Sequence, residues 1–168
     1  MSGWFIFFLT LHILFVVVAF GPTFAFPLMG GMIAKDPSRA LALSTAMEQI
    51  EKRMTLPLAA IVPFLGVGLI FTAPGANINL WKSEWLIASI VLFTTAFFFA
   101  LLVQSPNSTR MVKTLTSMPP GPPPSGGPPP EISALTKKLQ RGGMFLSAMV
   151  LIILILMVWR PGNCQGIC

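Results

Sequence analysis

The sequence predicts an all-α membrane protein, a four-helix transmembrane bundle with both termini outside. Three observations carry this expectation: composition, four apolar runs of spanning length, and an uneven distribution of Lys and Arg. Apolar residues make up 54% of the 168 positions and charged residues 10%, whereas a soluble domain carries about 25% charged residues. Mean hydropathy is +0.79. The chain is long enough for one membrane domain and no more.

A spanning helix needs about 20 mostly apolar residues at 1.5 Å each. The spans are expected at about 4–29, 55–72, 85–104 and 144–159. No Lys or Arg precedes Lys35, so the first run lacks the basic start of a signal peptide and reads as a retained helix. Asp36 is placed to cap a helix with Pro37 in its first turn. Leu41, Leu43, Met47, Ile50 and Met54 then recur at helical spacing, with Glu48, Glu51 and Lys52 elsewhere. This pattern predicts an interfacial helix feeding into the second span, or equally a solvated helical hairpin arm. The tract "MPPGPPPSGGPPP" favours extended polyproline II, so residues 119–130 are expected to be a cytoplasmic spacer. The fourth helix should start near Glu131 or Ser133.

Lys and Arg cluster between the first and second runs (Lys35, Arg39, Lys52, Arg53) and between the third and fourth (Arg110, Lys113, Lys137, Lys138, Arg141). Lys82 and Arg160 stand alone on the other side. The positive-inside rule therefore assigns loops 30–54 and 105–143 to the cytoplasm of a bacterial plasma membrane and both termini to its outer face. Trp4, Trp81, Trp85 and Trp159 all fall at the ends assigned to that outer face, where indole rings favour the headgroup region. A net charge of +6 arranged between apolar runs reports topology and not a nucleic-acid partner.

His12, in "LTLHILFVVV", is the sole histidine and the sole ionisable group within the four spans. Asp36, Glu48, Glu51, Glu84 and Glu131 all lie outside them. Intramembrane carboxylates mark proton and ion coupling, so coupled transport is not expected. Paired carboxylates for acid–base work are absent, as are nucleophile-elbow, zinc-protease and phosphate-loop motifs, so the chain reads as no enzyme. It reads as carrying no metal cluster and no cofactor.

His12 lies about 12 Å in from Trp4 at helical rise. Thr94 and Thr95 on the third span and Met149 on the fourth fall at similar depth. Two readings follow. In the first, the imidazole hydrogen-bonds Thr94, Thr95 or a backbone carbonyl and pins helices together, a contact worth roughly 1 kcal/mol. In the second, His12 and Met149 ligate a haem b. Gly21, Pro22, Pro27, Pro57, Pro63, Gly66 and Gly68 interrupt the first two spans and leave a third reading, a small channel or uncoupled carrier. Spacings such as Ala96 to Ala100 and Gly143 to Ser147 suit helix contacts, within the chain, with a second copy or with other integral membrane proteins. Cys164 and Cys168 form neither a disulfide framework nor a C-x-x-C site and suit a local disulfide or an incidental tail. Gln165, not a cysteine, stands fourth from the end, which rules out a prenylation signal.

The "LH" early in the first span with Gly21 and Pro22, "LPLAAIVPFLGVGLIF" after Arg53, Pro106 with Arg110, and the closing "MVWRPG" resemble a family of bacterial integral membrane proteins of unknown function, domain of unknown function 2269. The resemblance covers all but the proline-rich spacer and the cysteine tail. It implies a four-helix protein of the plasma membrane and brings no activity with it. The favoured expectation is a non-catalytic accessory subunit that packs with other membrane proteins.

Overall fold

The computed structural model describes residues 3–73, 83–118 and 128–159. Most of the proline-rich tract, Trp81, Lys82, Arg160 and both cysteines lie outside the described residues. Within them there are no strands, and four long helices are apolar enough to cross a membrane: α1 Gly3–Lys35, α2 Pro37–Thr72, α3 Glu84–Thr116 and α4 Pro130–Trp159. At 1.5 Å per residue α2 is about 54 Å long, against a hydrocarbon layer of about 30 Å. Each helix therefore carries a polar extension at the Lys- and Arg-rich end. The expected interfacial helix is the lower half of α2, and α3 runs on to Thr116 instead of ending near Gln104.

Local chemistry accounts for the irregular turns. Asp36 accepts from Ser38 N–H at 3.2 Å and from Arg39 Nε at 2.8 Å, which holds the tight junction between α1 and α2. In α1, Gly21–Phe24 tightens to a 3-10 turn around Pro22. Glu51–Thr55 in α2 and Ala100–Gln104 in α3 widen to π-turns, with Leu56 N–H donating to the Glu51 carbonyl and Ser105 N–H to the Ala100 carbonyl. Each π-turn ends two residues before a proline, Pro57 or Pro106. A proline ring collides with the carbonyl four residues back, here that of Arg53 or Leu102. A widened turn relieves the collision without breaking the helix.

The apolar part of α1, Gly3–Phe20, packs along Leu56–Thr72 of α2, and α3 packs along α4. The two pairs join chiefly through their polar halves, where Ala40–Ile50 of α2 meets Ser105–Thr116 of α3. Contacts between α1 and α4 fall chiefly on residues 21–35 of α1, and the apolar parts of α2 and α3 touch only lightly. Phe20 and Phe93 meet edge to face at 6.4 Å, and Phe99 and Phe145 at 4.8 Å.

Small residues set these contacts. Ala19, Ala59 and Ala96 are buried, and close backbone approach through small side chains is how membrane helices associate without a hydrophobic driving force. Ala96 thus serves the expected role within the chain. Gly143 makes no such contact within the chain, since a Cβ there would meet nothing within 4 Å. The packing glycine is its neighbour Gly142, which lies against Gln104 and Phe99, while Gln104 Nε2 donates to the Leu139 carbonyl at 3.2 Å.

Candidate functional site

The His12 ring lies on Gly66 of α2, where a Cβ would stand 3.5 Å from its Cε1. Glycine leaves room for an imidazole between the two helices, which explains the pairing of these residue types. The Nδ1 atom is buried without a hydrogen-bond partner, and the ring meets the Val62 backbone of α2. Of the expected polar partners it is thus the backbone of α2, and not Thr94 or Thr95, that lies at the imidazole. Thr94 and Thr95 are exposed on α3 and donate to the Ile90 and Val91 carbonyls of their own helix, at 2.7 and 2.8 Å. Equal depth did not bring them together, because α1 packs on α2. Met149 is half-buried on α4, whose contacts with α1 fall chiefly at residues 21–35, whereas the imidazole lies on Gly66 of α2.

A second polar site was not expected from the sequence. Glu48, Glu51 and Thr55 of α2 are 9%, 8% and 8% exposed, and Ser105 and Ser108 of α3 are 7% and 9% exposed. Glu48 and Glu51, set apart from the apolar face by periodicity, face inward, while Lys52 and Leu41 are exposed. The reason is the partner: the polar half of α2 packs on a hydroxyl-bearing face of α3, which accepts carboxylates better than leucine. Buried positions of α2 run Glu48, Glu51, Thr55, Ala59, Val62, a single stripe at helical spacing that changes from polar to apolar as it enters the span.

Lys52 Nζ donates to Glu48 Oε1 at 2.7 Å. This bond, with help from Thr109 and Lys113, holds the Glu48 carboxyl below the usual carboxylate range. Glu51 lies four residues on the polar side of the apolar span 55–72, and burial pushes its carboxyl up to about 7 even though the Ser108 hydroxyl and Lys52 favour its charged form. Glu51 Oε1 and Thr55 Oγ1 are buried without hydrogen-bond partners. Glu51 faces Ser108 and Glu48 faces Thr109 and Lys113, and Thr55 and Ser105 are the next buried hydroxyl-bearing residues along the two antiparallel helices. The shared faces were legible: Glu48, Glu51 and Thr55 are spaced by three and four residues, and Ser108 and Thr109 lie three and four residues after Ser105. Among the described residues no group of three or more His, Cys, Asp or Glu comes together to hold a metal ion.

Four long apolar helices with a polar, charge-bearing end define an integral membrane protein that crosses the bilayer four times. A family model described as "Predicted integral membrane protein (DUF2269)" matches residues 6–161. The chain belongs to that family, as the motifs around His12, Pro57, Pro106 and Trp159 indicated. No curated protein and no solved structure matches it.

Proposed function

We propose that this protein is a non-catalytic accessory subunit of the bacterial plasma membrane that packs with other integral membrane proteins. The supporting observation is the openness of the apolar helix faces. Only 6% of the apolar window is buried in α1 and in α4, and 17% in α2 and in α3. Phe64, Phe71, Leu102 and Val158 are among the large apolar side chains left exposed on these helices. Gly30, Gly31 and Gly143, at the cytoplasmic ends of the first and fourth spans, have nothing within 4 Å of a Cβ, which leaves room there for another backbone to come close. The Lys and Arg bias and the tryptophans at one end support loops 30–54 and 105–143 in the cytoplasm and both termini outside.

Native mass spectrometry of the full chain extracted in mild detergent tests the packing role. A stoichiometric complex with another membrane protein, or with a second copy, is the expected result; a uniform lone monomer in both detergent and nanodiscs would overturn it.

His12 favours one other reading, haem b ligation, because its Nδ1 is buried and unpartnered. The packing role expects no Soret band in the visible spectrum of the purified protein. A Soret band that disappears in His12→Ala would replace that role with a redox one.

A further inference from the structure

We propose that Glu51, Thr55, Ser105 and Ser108 form a binding site for a monovalent alkali cation, taken up at the α2/α3 interface in exchange for the proton of the Glu51 carboxyl. The inference stands independently of the packing role.

Two observations converge on it. One is the donor set. Glu51 Oε1 and Thr55 Oγ1 are buried without hydrogen-bond partners on residues each 8% exposed, which is costly unless something else satisfies them. They lie four residues apart on one face of α2, and the two buried serines line the facing stretch of α3. Carboxylate and hydroxyl oxygens are hard donors and suit hard cations. The other is the backbone. A π-turn begins at Glu51, and a second ends at Gln104 immediately before Ser105. Such turns aim side chains that a regular helix would point elsewhere, and they recur at functional sites.

Charge selects the ion. Glu48 is already neutralised by Lys52 at 2.7 Å. Lys113 of α3 lies on the Glu48 side of the cluster, and α1, which packs against the Glu51 turn, carries no Asp, Glu, Lys or Arg between 3 and 34. One free carboxylate remains, matching one positive charge; a divalent ion would leave a net positive charge in a poorly solvated site. Atoms and charge balance: the protonated carboxyl releases its proton and the carboxylate holds the cation. A carboxyl pushed up to about 7 is poised for that exchange at neutral pH.

Difference infrared spectroscopy of the detergent-solubilised full chain, buffered at about pH 6 where Glu51 is mostly protonated, reads the exchange at the carboxyl itself. Titration with sodium or potassium chloride against choline chloride of equal ionic strength should remove a carboxylic-acid carbonyl band. That band should be absent in Glu51→Gln and present in Glu48→Gln. Ser108→Ala, which keeps the carboxyl, should raise the half-saturating salt concentration about tenfold, as expected for loss of one oxygen donor. Either alkali salt acting alone supports the site and identifies the ion by size. An identical response to choline and to both alkali salts overturns the proposal, as does a band removed only by magnesium chloride.

Discussion

Glu51→Gln should make the protein more stable at pH 8 and leave it nearly unchanged at pH 4. The Glu51 carboxyl is pushed from its ordinary value of 4.5 up to about 7. Between those values the folded protein keeps a proton that the unfolded chain releases. By linkage, its contribution to stability is fully present below about 4.5 and lost as pH rises through about 7. An upward displacement of that size corresponds to about 3 kcal/mol once the group is ionised, and glutamine keeps the shape without the charge. Thermal unfolding in choline chloride across this range should show wild-type stability falling towards pH 8 while the variant stays flatter. Parallel curves would mean that Glu51 is solvated. Glu48 and Asp36 act in the opposite direction, since Lys52 holds the first carboxyl down and Ser38 and Arg39 hold the second down.

The second large effect separates two glycines two residues apart on α2. A Cβ at Gly68 would stand 2.6 Å from the Phe8 ring, whereas one at Gly66 would stand 3.5 Å from His12 Cε1. The first distance requires an aromatic ring or a helix to move; the second is ordinary contact. Gly68→Ala should therefore cost about 1–3 kcal/mol by overpacking the α1/α2 seam. Gly66→Ala should be neutral or slightly stabilising, because alanine is favoured over glycine in a helix interior by about 1 kcal/mol. Melting temperatures in one detergent decide the matter. Equal melting temperatures would show that α1 and α2 do not pack in this register.

The four spans were legible because the demand of the bilayer for apolar length is written directly into composition. The start of α4 at Pro130 lies one residue from the expected Glu131, and Asp36 caps as expected. Helix neighbours were not legible. Depth alone ranked Thr94, Thr95 and Met149 as partners of His12, and depth cannot distinguish the helix that packs on α1 from those that do not. Gly66 met the imidazole instead. The inward turn of Glu48 and Glu51 was missed for a different reason. Periodicity identifies which residues share a face, but the face that is buried depends on the partner, and the serine-bearing part of α3 lay beyond the end expected for that helix.

The paired π-turns also bear on chain length. Each five-residue turn takes up one residue more than a regular turn of helix, so the buried stripe Glu48, Glu51, Thr55, Ala59 and Val62 continues on one face across it. Removing Arg53 from the Glu51–Thr55 turn would restore regular winding with the flanking stretches still nearly in phase, and Glu48 would still face Thr109 and Lys113. A residue removed from Leu56–Thr72, far from any widened turn, would instead swing one part of the helix through about 100° relative to the other. Changes of length should accordingly be absorbed at the two turns beside Pro57 and Pro106 and nowhere else in these helices.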